Sequence, residues 1–288
     1  MVDDKRPEAS LFDNPFHVRR VADNVTPVSV SDSRAAAPRT DFLHVEIDHG
    51  VATVWMAKPP VNAVSLAMFK EFPRVFGWLA GREDLAVVIL ASRVRHFCAG
   101  TDLNDFEAMT AHTVAERNAH VRAAFFAVDD CPLPTIASVH GACLGSGVAL
   151  AASCDMVIAA RDARFGTPEV SVGVMGGAHH LGRLVPRNVM RKMYFTAEPV
   201  RAAELAAYGG IVDLVDAEEL SRATRELAAR IAQHDRTVLR HAKRTLDTIE
   251  HLPLQEGYVY EQSQTAELTS DERARASLAR TRARIGKA

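Results

Sequence analysis

The sequence predicts an α/β fold built on parallel strands, followed by a helical C-terminal part. Three observations carry this expectation. Short, wholly apolar runs at 85–91 (LAVVILA), Thr135–Val139 and Met156–Ala160 have the composition of strands covered on both faces. They alternate with longer stretches of helical character, the pattern of parallel strands joined by crossover helices. After Gly210 the alternation stops: one more strand is expected at 211–215, then helices over about 217–233, 236–250, 254–267 and 271–284.

Each element has a local reason. Residues 1–40 are polar and lack a sustained period, so they read as a flexible arm. Leu43, Val45 and Ile47 alternate, Asp48-His49-Gly50 turns, and Val51, Thr53 and Trp55 alternate back, which predicts a hairpin. Pro59-Pro60 stops the second strand. Ser65 can cap a helix from Leu66 to about Leu79, with Met68, Phe72, Val75, Phe76 and Leu79 on one face. The expected organisation is an arm over 1–40, a core over 41–195 and a helical C-terminal subdomain over 196–288.

Composition excludes several classes of function. The 288 residues are 48% hydrophobic and 24% charged, so the chain can build a sizeable core and is not a disordered or fibrous protein. Its 34 Lys+Arg and 36 Asp+Glu give a net charge of −2, without the basic footprint that nucleic acid requires. The longest apolar stretch, 135–160, is interrupted by His140, glycines and Asp155, so no membrane span is expected. The N-terminus, MVDDKRPEAS, is acidic where a secretion signal is basic and apolar. Cys98, Cys131, Cys143 and Cys154 form no C-x-x-C pair and no metal-like spacing with histidine. They are expected to be reduced, packed thiols in a cytoplasmic protein without a metal site.

Two turns can carry chemistry: 96–103 (HFCAGTDL) after a buried strand, and 141–147 (GACLGSG) between a strand and a helix that starts near Ser146. Glycine admits a ligand close to the backbone, and the first N–H groups of a helix have no internal partner. The second turn can therefore serve an anion or a developing oxyanion, or its glycines serve only to make the turn tight. Leu150 stands where a dinucleotide fingerprint wants Gly or Ala, and no Lys-Ser/Thr follows to make a phosphate loop.

In order, 96–103, 138–155 and 165–173 (FGTPEVSVG) resemble the crotonase superfamily, the enoyl-CoA hydratase/isomerase family. The resemblance spans about 42 to 250 and includes Lys58-Pro59-Pro60-Val61-Asn62-Ala63 and 203–215 (AELAAYGGIVDLV). It implies a ClpP/crotonase-like fold of repeated ββα units with a helical C-terminal trimerisation region, assembled as a trimer or a dimer of trimers. It also implies an acyl-CoA substrate, with coenzyme A part of the substrate and no separate cofactor. Matched residue by residue, the thioester oxygen falls between the backbone N–H groups of Thr101 and Ser146. CoA and acyl contacts fall on Lys58, Val61, Ala63, Cys98, Ala99, Gly100, Gly145 and Gly177.

The acid/base groups decide the reaction. Family hydratases commonly use two glutamates; here the second is present as Glu169, and the first position holds Ala149. Adding water across a double bond divides between a base and an acid, whereas one carboxylate suffices for a 1,3-proton shift. The residues therefore favour isomerisation or another one-base reaction. Hydration with an atypical second group, or a CoA-binding protein without activity, remain alternatives. His179 and His180 stand where many relatives carry glycines; one imidazole is the candidate auxiliary group, or both face solvent or a subunit contact. Asp102 is expected to cap the helix opening near Leu103, a catalytic role being its alternative. Lys58 is expected to meet a phosphate or be solvated. The segment 271–284 (DERARASLARTRAR) lacks the aromatic that relatives offer to CoA; its five arginines either hold phosphates or form a solvated face.

Overall fold

The structure, a computed structural model, describes residues 36–285. The expected arm over 1–40 falls almost wholly outside these residues. Among the described residues there are nine strands: β1 Leu43–Asp48, β2 Val51–Met56, β3 Val87–Ser92, β4 Thr135–Val139, β5 Ala142–Leu144, β6 Met156–Ala160, β7 Arg164–Gly166, β8 Val200–Arg201 and β9 Asp213–Val215. The helices are α1 Leu66–Ala80, α2 Leu103–Glu107, α3 Val114–Asp129, α4 Ser146–Ala152, α5 Ala178–Leu184, α6 Arg187–Thr196, α7 Ala202–Ala207, α8 Leu220–Ala232, α9 Arg236–Ile249, α10 Leu254–Ser270 and α11 Glu272–Ile285.

A six-stranded sheet in the order β1-β2-β3-β4-β6-β9 forms the frame. The β1–β2 hairpin is antiparallel, with Leu43 opposite Met56 and Asp48 opposite Val51. Its turn residues His49 and Gly50 both have positive φ (46° and 80°), the backbone that matches strand twist across a two-residue loop. All other pairings in this sheet are parallel. Every residue of β3 and β4 is buried, as their unbroken apolar runs require. Ser65 caps α1 by accepting from Met68 N, and α1 buries Met68, Phe69, Phe72, Val75, Phe76 and Leu79. The buried Glu71 carboxylate accepts the main-chain N–H groups of Asp41, Phe42 and Leu43 at 2.8–3.0 Å, fixing where β1 begins.

A second sheet, β5-β7-β8, lies outside the sequence-based expectation. Its strands are two or three residues long, too short to show a period, and β5 sits inside the segment read as a turn. The C-terminal part is not helix alone, because β8 joins the small sheet and β9 the large one. The expected strand at 211–215 begins at Asp213, and the first expected helix is a 3-10 turn (Ala217–Glu219) followed by α8. Helix α8 packs on the large sheet, with Thr224 Oγ1 3.0 Å from Ser138 Oγ of β4.

Helix α9 is tied to the sheet by an ion pair between the buried Lys243 and the partly exposed Asp155. Lys243 Nζ lies 2.6 Å from Asp155, whose other oxygen accepts Thr135 N at 2.7 Å and Thr135 Oγ1 at 2.9 Å. Asp155 is partly solvated and keeps its two bonds from Thr135 when Lys243 is removed, so the loss is that of charge-assisted hydrogen bonds, about 1.5–3 kcal/mol. Lys243→Met is expected to lower stability by about that amount, read from the urea unfolding midpoint, while Lys243→Arg loses less.

Candidate active site

The two turns singled out by sequence run side by side. A parallel bridge joins Cys98 to Cys143: Cys98 N donates to Ala142 O (3.0 Å) and Leu144 N donates to Cys98 O (2.9 Å). On its outer side the first turn is bridged to the 58–64 loop. Val64 N donates to Gly100 O (2.8 Å) and Asp102 N to Val64 O (3.0 Å). These two bonds flank Thr101, whose own N–H therefore faces away from Val64. On the second turn, Gly145 (φ 51°, ψ −111°) leads into α4 and makes Ser146 its first residue, where an N–H has no intrahelical partner. The hydroxyls of Thr101 and Ser146 lie 2.6 Å apart, so the two backbone positions matched by resemblance are neighbours.

Close approach of the two turns depends on Gly147. A Cβ there would lie 2.7 Å from Cys98 O and 2.9 Å from Cys98 Cβ, well inside van der Waals contact. Cys98 is consequently not a ligand contact. Its thiol is fully buried and pushed by burial up to about 12, and its main-chain N–H and C=O both belong to the bridge. Ala99 N donates to Val61 O (3.1 Å), which holds the 58–63 loop against the same turn.

Glu169 enters on a 3-10 turn, Pro168–Val172, that follows β7 of the small sheet. Its Oε1 would lie 3.2 Å from a Cβ on either Gly145 or Gly177, so the carboxylate rests between the second turn and the start of α5. Glu169 is 8% exposed, and its Oε2 is buried without a hydrogen-bond partner. Burial pushes its pKa above the ordinary carboxylate range, an interaction with its own backbone only partly opposing. A carboxylate so placed takes up a proton more readily than a solvated one. Ala149, at the position of the other family glutamate, is 1% exposed and one turn along α4 from Gly145, whose carbonyl it bonds (3.1 Å).

Other residues lie where the sequence did not place them. Lys58 is neither solvated nor free for a phosphate: its Nζ pairs with Asp102 Oδ2 at 2.7 Å and donates to Ala63 O at 2.8 Å. Asp102 does cap α2, its Oδ1 accepting Asn104 N at 3.1 Å, and Lys58 beside it holds its carboxyl below the usual range. His179 is exposed. His180 is half-buried edge-on to Phe125 (5.3 Å between centroids), and burial lowers its pKa, which disfavours its imidazolium form. Arg273, in the arginine-rich last helix, lies 3.5 Å from Glu83. That is the end of the sheet where β3 begins, whereas the first turn follows its other end. Among the described residues no cluster of His, Cys, Asp and Glu could hold a metal, and no helix is long and apolar enough to cross a membrane.

Sequence reasoning quoted Asn62 without giving it a role. Buried at φ 52°, its side chain accepts Lys58 N (2.7 Å) and donates to Ser92 Oγ (2.8 Å) and Phe97 O (3.0 Å). It thereby pins the 58–63 loop to the strand end that launches the first turn. The available signal was an Asn two residues after a Pro pair, a residue that tolerates positive φ.

Known proteins resemble this chain over most of its length. Residues 46–283 match the family model described as enoyl-CoA hydratase/isomerase. A Rhodococcus jostii protein named (7aS)-7a-methyl-1,5-dioxo-2,3,5,6,7,7a-hexahydro-1H-indene-carboxyl-CoA hydrolase is 39% identical over 76% of this chain and 85% of its own length. A Mycobacterium tuberculosis protein of the same name is 36% identical over 76% and 89%. The short-chain-enoyl-CoA hydratase of Clostridium acetobutylicum is 30% identical over 70% and 80%. Among solved structures, an enoyl-CoA hydratase of Mycobacterium smegmatis superposes with TM-score 0.80 at 27% identity, over 86% of this chain and 97% of that one.

The raised proton affinity of Glu169 has a consequence for stability. Below the pKa of an unfolded glutamate, about 4.3, the group is protonated in both states and folding meets no penalty. As pH rises toward its higher folded value, the unfolded chain loses the proton first and stability falls. Glu169→Gln has no such loss, so relative to wild type it is expected to gain stability between about pH 4 and pH 7. Urea midpoints at the two pH values check this; a Glu169→Gln protein that loses ground toward pH 7 contradicts the assignment.

Proposed function

The chain belongs to the enoyl-CoA hydratase/isomerase family, and we propose that it transforms an acyl-CoA by one-base chemistry, with Glu169 moving the proton. The thioester oxygen is held by the main-chain N–H groups of Thr101 and Ser146. The observation that carries this reading is the desolvated Glu169 carboxylate resting against Gly145, beside the paired turns, with only a methyl group at Ala149. An amide donates whatever side chain it bears, so Thr and Ser serve as well as smaller residues. Each donor aimed at developing charge is worth about 10²–10³ in rate. Holding the thioester as an enolate makes its α and γ protons removable and makes its α-carbon a competent leaving group.

Two reactions suit a single carboxylate. In a 1,3-proton shift Glu169 removes a proton and returns it two carbons away. In a hydrolysis it takes a proton from water, and the hydroxide attacks a ketone placed β to the thioester carbonyl. The bond from that ketone to the α-carbon then breaks, a carboxylic acid forms, and the expelled enolate receives the proton from Glu169. Both cycles return the glutamate to its starting state. The names of the R. jostii and M. tuberculosis relatives, both hydrolases of a dioxo carboxyl-CoA, favour the second. The isomerisation favoured on residue chemistry alone draws no such support from these names.

The test is mass spectrometry of 2-enoyl-, 3-enoyl- and cyclic 3-oxoacyl-CoAs incubated in H₂¹⁸O. Hydrolysis of the ring places label in a new carboxylate with CoA still attached, isomerisation leaves the mass unchanged, and hydration places label in an alcohol. Glu169→Gln is expected to lower turnover by about 10²–10⁴-fold. Turnover by that variant at the wild-type rate would overturn the proposal, and no reaction with any substrate would leave a CoA-binding protein. Gly147→Ala, which wedges the turns apart without touching a side chain of the site, is expected to lower kcat by about 10²–10³-fold. Circular dichroism checks that its fold is kept.

A further inference from the structure

Arg117 is a charged group without a matching partner. It lies in the first half of α3, is 9% exposed, and its Nε and Nη2 are buried with no hydrogen-bond partner. Its guanidinium sits 4.8 Å from the ring centre of Phe106. Asp105 acts on it electrostatically, but the Asp105 carboxylate accepts the Leu66 N–H. Burying an ionised guanidinium with unmet donors is costly, and such groups are retained where something supplies the acceptor.

Its place in the fold says what that something is. Arg117 shares the inward face of α3 with Ala124, Phe125 and Val128. At one end of this face is Phe106 of α2, the helix that starts directly after Thr101 and Asp102. At the other, Phe125 meets His180 of α5, whose cap residue Gly177 abuts Glu169. The face therefore runs from the helix that follows Thr101 to the helix whose cap abuts Glu169, and Arg117 stands at its α2 end.

We infer that Arg117 receives an oxygen acceptor carried by the acyl group away from the thioester, a carboxylate or a ketone, so that the substrate is an oxygenated acyl-CoA. This rests on the acyl-CoA reading above and narrows it. The planar fork of donors suits such an oxygen, and the Phe106 ring backs the guanidinium and keeps its orientation.

The test is calorimetric binding of three unreactive thioesters of equal chain length: hexanoyl-CoA, 5-oxohexanoyl-CoA and the mono-CoA ester of hexanedioic acid. Wild type is expected to bind at least one oxygenated ester about 10- to 100-fold more tightly than hexanoyl-CoA, and which one identifies the acceptor. Arg117→Met removes the preference, changes hexanoyl-CoA affinity by no more than about twofold, and melts at or above the wild-type temperature. Arg117→Lys, which keeps the charge and loses the fork, gives an intermediate preference. The inference is overturned if wild type binds all three esters equally, or if Arg117→Met lowers the melting temperature and leaves the preference intact, as an internal ion pair would. If wild type binds none of the three, the acyl-CoA reading itself fails and takes this one with it.

Discussion

The structure depends on how closely two main-chain turns are allowed to lie. Gly147 rests on the carbonyl and Cβ of Cys98, and the Cys98–Cys143 bridge fixes the register of the contact. Only with that contact made do Thr101 and Ser146 become neighbours. A backbone site of this kind has no side chain to adjust by rotamer, so its accuracy must come from packing. The buried thiol of Cys98 and the all-buried run Gly147–Ala152 of α4 supply it.

Around this contact the polar side chains act as tethers. Asn62 ties the 58–63 loop to the end of β3, Lys58 ties the same loop to the cap of α2, and Val64 completes the strip of main-chain bonds. Each tether joins a segment before α1 to the turn after β3, so the first turn is held on both flanks. Glu71 does for the start of β1 what Asn62 does for the loop. A buried polar residue here is a positional device, satisfied in full. Among the described residues Glu169 Oε2, Arg117 Nε and Nη2, Ser153 Oγ and Thr167 Oγ1 depart from that rule, and Glu169 does so at the site.

Much of this was legible in the sequence, for identifiable reasons. The strands of the large sheet announce themselves because burial on both faces forces continuous apolar runs, and α1 because Ser65 and one apolar stripe mark its cap and its face. The order of the three motifs carried the family. The small sheet was not legible, since Ala142–Leu144 and Arg164–Gly166 pair through backbone and need no particular side chains. Nor was the Lys58–Asp102 pair, whose partners are 44 residues apart and each have an ordinary surface role by default. Arg117 was passed over because α3 spreads polar residues around its whole circumference, so its inward face did not stand out.

The absent second glutamate is better understood from packing than from substitution alone. Helix α4 is enclosed along its length, and position 149 sits one turn beyond Gly145, against which Glu169 rests. A carboxylate at 149 would have to be desolvated close to another that already lacks a hydrogen-bond partner. Two like charges so placed raise each other's proton affinity, and a water molecule between them relieves the repulsion by bonding both. With Ala149 there is no such pair. The proton affinity of Glu169 is then set by its burial, and a reaction using it must begin and end with the same group in the same state. Proton shifts and ring hydrolysis both meet that condition, because in each the glutamate hands on to a carbon the proton it first took.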